Sequence, residues 1–321
     1  MPALSFCAAR LASAALTLLG VSILIFTAVH LLPGGFADVV LGPLATAEQK
    51  SAATAHFGLD RPILVQYGHW LAAAVKGDFG TSLASQQPVA SELGSRIPVT
   101  FQLAMMAAAA AIIVGVPLGV FTAVRARSAG KAAAGRLLSG LGVSLPDFVF
   151  GSLVVYIFSR YSLGLTVGGY VPLTQDPVAN LRAMLLPAGV LSLFAIAATA
   201  KTTRDAVLNV LVEPYVTAAV ARGESPRFII AHHVLRNAAV PILIVTTTIT
   251  AYLLGGAVIV ESLFNLPGVG VYLVQAISRR DYAIVEAGVL LSATVFIVMN
   301  VTVDLLAGMI DPRVSRAGRR R

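Results

Sequence analysis

Apolar residues in this chain gather into long blocks instead of alternating with polar ones. Six blocks stand out: Leu11–Leu32, Phe101–Val124, Leu137–Phe158, Met184–Ala200, Val240–Val260 and Ala287–Ile310. Each reaches or approaches the about 20 apolar residues that a helix needs to cross a hydrocarbon core roughly 30 Å thick. The pattern predicts an all-α polytopic membrane protein with six transmembrane helices. The fourth block is the shortest and carries Pro187 and Gly189. The first is longer than the roughly 7–15 residues of a signal-peptide core. It runs into Pro33-Gly34-Gly35 with no small-residue cleavage site, which predicts an uncleaved first helix.

Six crossings put both termini on one side, and the basic residues say which. Segments 1–10, 125–136, 201–239 and 311–321 hold 15 Lys and Arg in 72 residues. Segments 33–100, 159–183 and 261–286 hold 8 in 119. Loops rich in Lys and Arg stay in the cytoplasm, so both termini are expected there. The chain then divides into a first helix with an extracytoplasmic segment (1–100), a five-helix core (101–310) and a basic cytoplasmic tail (311–321). Two short helices are expected in the outer segment, at 46–57 and 60–76. Another outer loop, 261–286, carries Pro267-Gly268-Val269-Gly270 and then a short amphipathic helix.

Composition sharpens this picture. Of the 321 residues, 57% are hydrophobic and 12% charged, against about 45–50% and about 25% in soluble domains. A soluble enzyme of this size has no place for so much apolar surface, and disorder is excluded for the same reason. The single cysteine, Cys7, rules out a disulfide framework and a cysteine-rich metal site. The five histidines, His30, His56, His69, His232 and His233, show no metal-ligand spacing on one helix face. No Ser-His-Asp set and no Gly-x4-Gly-Lys-[Ser/Thr] loop is present, so the chain supplies neither a nucleophile triad nor a nucleotide site. The net charge of +8 invites a nucleic-acid reading of the tail Arg313, Arg316, Arg319, Arg320 and Arg321. Beside a transmembrane end such a tail instead anchors topology and touches anionic lipid. The expected cytoplasmic segments carry 15 basic residues against the four acids Asp205, Glu213, Glu224 and Asp311, so that side holds the excess.

The loop between the fourth and fifth blocks reads as helix, turn, helix. Pro214 suits a first helical turn, and Gly223 suits the left-handed position just past a helix end. Ser225-Pro226 reads as an N-cap followed by proline at the first helical position. Phe228, Ile229, Ala231, His232 and Leu235 are then expected to form the apolar stripe of the second arm. A stiff amphipathic elbow needs a partner for that stripe, either the membrane surface or another protein. Among the acids within or beside the blocks, Asp304 is expected to pair with a nearby arginine or to cap. Asp147 follows Pro146, which is expected to break the third helix and let Asp147 cap its second half.

The elbow, residues 213–237, resembles the EAA loop of ABC importer permeases, with Ala218, Ala219 and Gly223 at that motif's spacing. Glu213, Tyr215-Val216, Ala221-Arg222-Gly223 and His233-x-Leu235-Arg236-Asn237 resemble the oligopeptide and dipeptide branch more closely. The loop departs from that branch at Thr217-Ala218-Ala219 and at Glu224-Ser225. Further resemblances run along the chain: His30-Leu31-Leu32-Pro33-Gly34, Gly77-Asp78-Phe79-Gly80-x-Ser82, Gly115-x-Pro117-Leu118-Gly119 and Tyr170-Val171-Pro172-Leu173. They continue through Leu253-Leu254-Gly255-Gly256-Ala257-Val258-x-Val260-Glu261, Leu266-Pro267-Gly268-x-Gly270 and Arg280-Asp281-Tyr282.

The resemblance implies the type I ABC importer permease fold and a subunit that is not itself an enzyme. It implies a second, homologous permease subunit and two cytoplasmic ATP-binding subunits, or one fused. An extracytoplasmic solute-binding lipoprotein would deliver substrate. ATP and Mg would sit on the partner ATPases, with no cofactor or metal on this chain. Residues 213–237 would couple the ATPases to alternating access. Peptides are the implied cargo, with glutathione or nickel chelates as alternatives within the same class. The rival class is an ion-coupled carrier, which often shows internal repeats; no persuasive repeat is visible here. Asp147, Pro146 and Glu261 are candidates for the translocation path, where Asp147 would meet a peptide's amino terminus. Leu266, Pro267, Gly268, Gly270, Asp281 and Tyr282 are candidates for the outer gate and binding-protein contact.

Overall fold

The computed structural model describes residues 2–31, 46, 60–125, 146–161 and 164–310, and these fold as helices with no strand among the described residues. Helix α1 is Pro2–His30 and α2 is Ile63–Val75. Helix α3, Val89–Ala110, continues through a π turn, Ala111–Gly115, into α4, Val116–Val124. Next come α5, Asp147–Arg160, and α6, Pro177–Leu211. Helices α7, Pro214–Ala221, and α8, Pro226–Phe228, form the elbow. A second π turn, Ile229–Val234, leads into α9, Leu235–Gly256. A hairpin of α10, Val258–Leu263, and α11, Val269–Arg279, precedes α12, Tyr282–Ile310.

Among the described residues, five helical stretches are long and apolar enough to cross a membrane: Ala8–His30, Val89–Val124, Pro177–Leu211, Pro226–Gly255 and Tyr282–Thr302. The expected third block lies partly outside the described residues. Its described part, α5, has 14 residues, short of the about 20 that a span needs. The fourth block is far longer than its apolar run suggests, because Pro187 sits inside α6 without ending it. Proline is tolerated in membrane helices where neighbouring groups satisfy the freed carbonyl. At 35 residues and about 1.5 Å per residue, α6 runs some 20 Å past a 30 Å hydrocarbon core. Of the short helices expected at 46–57 and 60–76, the second is α2, while residues 47–57 lie outside the described residues.

The core is arranged in three tiers. The central one joins Leu103, Met184, Leu191, Leu253 and Phe264. One end is closed by Val89, Leu93, Tyr272, Ile284 and Ala287, the other by Ala123, Val207, Val216, Ile229, Val234 and Ala238. Gly115 and Gly119 let the α3–α4 rod lie directly on α6. A Cβ on Gly115 would stand 2.9 Å from the Ile196 carbonyl oxygen, and one on Gly119 would stand 2.6 Å from both the Ala200 carbonyl oxygen and Thr203 Cβ. This small-x3-small spacing admits the close approach of two membrane helices. Asp304 pairs with Arg10 at 3.1 Å, tying α12 to α1 as the sequence led us to expect.

Candidate functional site

The elbow is built from local backbone chemistry. Pro214 opens α7 behind Glu213, whose carbonyl accepts from Val216 N at 3.0 Å. The far end of α7 closes in a Schellman motif: Glu224 N donates to the Ala219 carbonyl (3.3 Å) and Gly223 N to the Val220 carbonyl (3.0 Å). That closure requires the left-handed φ of +77° at Gly223. Ser225 then caps the second arm, its Oγ accepting from Phe228 N at 3.4 Å, with Pro226 at the first helical position.

One side of the elbow is buried and the other is open. Val216 and Ala219 of α7 pack with Ile229, Val234 and Ala238 of the second arm, against Ala123 of α4 and Val207 of α6. The expected stripe of Phe228, Ile229, Ala231, His232 and Leu235 is corrected: Phe228, Ala231 and His232 are exposed, and Leu235 is half-buried. The cause is the π turn, which spaces the buried positions five apart (Ile229 to Val234) where an α-helix would space them four apart. Tyr215, Val220 and Phe228 face outward at 40%, 60% and 45% exposure. Glu213, Ala218, Arg222, Gly223, Ser225, Arg236 and Asn237 are exposed with them, and His233 is half-buried. The result is an apolar and basic face with no cover among the described residues.

Charge in the turn is organised around Glu224. Its Oε1 accepts from Arg222 Nη2 at 2.6 Å and Nε at 3.0 Å, and its Oε2 meets His233 Nε2 at 2.8 Å. The Arg222 hydrogen bonds, and then the one from His233, hold this carboxyl below the usual carboxylate range. Desolvation, and then the Glu213 charge, raise the Tyr215 phenol above its ordinary value, so it stays a neutral donor on the open face.

At the opposite end the 257–287 hairpin is stapled to α3 and its lead-in. Glu261 is wholly buried, accepting from Thr100 Oγ1 at 2.6 Å and from Val271 N at 3.0 Å. A Cβ on Gly268 would stand 2.1 Å from the Glu261 carboxyl carbon, and one on Gly270 3.0 Å from its Oε2, so both glycines make room for this carboxylate. Asp281 accepts from Ser82 Oγ at 2.7 Å and from Ala84 N at 3.1 Å. The Tyr272 hydroxyl donates to Glu92, and Arg96 lies over the Tyr272 ring. Burial, and then the Glu92 carboxylate, raise that phenol far above its ordinary value. Of the expected gate residues, Leu266, Gly268, Asp281 and Tyr282 are buried and Gly270 is half-buried. They form the hairpin's interior, and only Pro267 among them is exposed.

Asp147 is corrected from cap to first helical residue. Pro146 holds the cap position of α5 with extended backbone, and no side-chain cap hydrogen bond closes this end. The half-buried carboxylate therefore adds its charge beside a helix N-terminus, a favourable place for an anion. Sequence reading missed Glu286, which lies 7% exposed one turn into α12 and takes a hydrogen bond from Trp70. Its position at the head of the last apolar block was the available signal.

Residues 115–316 match the family described as binding-protein-dependent transport system inner membrane component, and residues 3–104 match the N-terminal model of that system's membrane component. A protein of Sinorhizobium fredii named "Probable peptide ABC transporter permease protein" is 36% identical over 305 residues, covering 95% of this chain and 97% of its own. A Brucella abortus relative, named for a peptide transport system permease, is 38% identical over 305 residues, with 95% and 97% covered. A glutathione transport system permease of Salmonella choleraesuis is 35% identical over 298 residues, with 93% and 94% covered.

Proposed function

The chain belongs to the family of binding-protein-dependent transport inner-membrane components, and from that premise we propose that it is the transmembrane permease subunit of an ABC importer for oligopeptides or dipeptides. The observation that carries this reading is the elbow, braced from behind by α4, α6 and α9 and open in front with Tyr215, Val220 and Phe228 exposed. A rigid body of this kind transmits force. Cytoplasmic ATPase subunits dock on it, close on binding ATP and Mg, and move α6 and α9 through it. Alternating access follows when two packings of the bundle are close in energy. The subunit crosses the plasma membrane of a bacterium six times with both termini cytoplasmic. A second, homologous permease completes the path, and a solute-binding lipoprotein delivers cargo at the hairpin end.

Substitution at the turn tests this reading. Gly223 stands at φ +77°, whereas proline holds φ near −65° and has no N–H. Gly223→Pro therefore removes both the left-handed backbone and the bond to Val220. In the reconstituted transporter it should abolish substrate-stimulated ATP hydrolysis and uptake while the subunit still inserts. Full activity in that variant would sink the elbow assignment. Uptake of labelled dipeptide, longer peptide and glutathione by the same preparation identifies the cargo. Peptide uptake is the expected result. Glutathione is the second reading, favoured by the Salmonella relative, and uptake of glutathione alone would replace the first.

Asp147 belongs to the path in this reading. Its half-buried carboxylate offers a negative group to a peptide's amino terminus. Asp147→Asn should reduce uptake while leaving assembly with the ATPases intact. Unchanged uptake would remove Asp147 from the path.

A further inference from the structure

Two arms joined at a glycine turn transmit a push only if the angle between them is fixed. The Schellman closure and the Ser225 cap fix each arm's own end, but neither joins one arm to the other. Apolar packing of Val216 and Ala219 on Ile229, Val234 and Ala238 holds the arms face to face, and among the described residues one side chain links them by hydrogen bonds. Glu224 stands between the Gly223 turn and the Ser225 cap, and each of its carboxylate oxygens serves a different arm. Oε1 holds Arg222 at the end of α7 (2.6 and 3.0 Å), and Oε2 holds His233 in the second arm (2.8 Å).

The π turn makes this bridge possible. Under α-helical spacing the residue following Ile229 into the core would be His233. With the π turn that position is filled by Val234, fully buried, and the imidazole stands half-exposed beside the turn. There it meets Glu224 and lies edge-on to Phe228, with ring centroids 5.9 Å apart. Asn237 Nδ2 donates to the His233 carbonyl at 2.7 Å, bracing the residue from the next turn. The π irregularity thus exchanges a buried imidazole for a buried valine and yields a cross-arm link.

We propose that Glu224 is a positioning residue of the elbow, a clip that locks α7 to the second arm through Arg222 and His233 so that the two move as one body. The proposal rests on the reading that ATPase subunits dock on this elbow. The remaining ring contact supports the same geometry: Phe228 stacks on His232 (4.1 Å, 16°) on the open face, so the two neighbouring histidines diverge, one toward the partner and one toward the clip.

The test uses the complete reconstituted transporter and reads substrate molecules imported per ATP hydrolysed. The variants are Glu224→Gln, His233→Gln, their double, and Gly223→Pro. Each single clip variant should lower the ratio roughly threefold or more, and the double should fall no further than the worse single, because both substitutions break one link. Independent structural damage would instead multiply the losses. A wild-type ratio in Glu224→Gln, or multiplicative losses in the double, would overturn the clip. Gly223→Pro separates the two levels. If it uncouples the transporter while Glu224→Gln does not, the clip alone fails. If it leaves coupling intact, the elbow reading fails with it.

Discussion

Among the described residues, Gly119 meets the α6 backbone more tightly than any other glycine in the helical rods. A methyl group there would stand 2.6 Å from both the Ala200 carbonyl oxygen and Thr203 Cβ, and the first of these is backbone and cannot rotate away. At Gly115 the corresponding contacts are 2.9 Å to the Ile196 carbonyl oxygen and 3.0 Å to Thr199 Cβ, a milder conflict. Overpacking of this kind typically costs about 1–3 kcal/mol. Gly119→Ala should therefore lower the thermal unfolding temperature of the detergent-solubilised subunit, and by more than Gly115→Ala does. Equal melting of both variants and wild type would show that the two rods are not pressed together as described. The Gly115-x3-Gly119 spacing, with Pro117 inside it, is visible in the sequence, and by itself it suits close helix packing or a kink equally. Only the position of α6 decides between them.

The elbow shows which parts of an element a sequence declares. Pro214, Gly223, Ser225 and Pro226 were legible because each acts on its own backbone: a fixed φ, a positive φ, a hydroxyl over free amides. The buried face was misread because the stripe was laid out at 3.6 residues per turn, and nothing local announces a π turn. The extra residue turns the rest of the helix by about 100°, which carries Val234 inward and leaves Ala231 on the surface. A deletion tests whether the transporter depends on that added residue. Removing exposed Ala231 should restore α-helical spacing, bringing Val234 four positions after Ile229 while shifting α7 and Gly223 round the axis of α9. Uptake should fall at least tenfold although the deleted side chain is exposed, whereas Ala231→Ser should transport normally. Normal uptake by the deletion would mean that the π turn has no part in aiming the elbow.

At the scale of the whole molecule, the sequence displayed its membrane blocks and concealed its long-range polar links. Glu261 with Thr100, and Asp281 with Ser82, join residues 161 and 199 positions apart. The motifs Gly77–Ser82 and Arg280–Tyr282 were visible one by one, but their partnership at one end of the bundle was not. Span number turns on the same question of scale. Among the described residues five helices qualify as spans by length and composition, and five crossings would send the two termini to opposite sides. The charge distribution argues otherwise, because 15 of the 23 Lys and Arg fall in the four segments that a sixth crossing, through 137–158, places together. The chain contains one cysteine, Cys7, so its two ends can be compared without rebuilding the protein. In intact cells, a membrane-impermeant maleimide should leave Cys7 unlabelled. It should also leave unlabelled a cysteine placed at position 318 in a Cys7→Ser background. Both should react once the membrane is permeabilised. Labelling of one end and not the other in intact cells would establish an odd number of crossings. Both termini would then no longer share the cytoplasmic side, and the charge argument for a sixth span would fall.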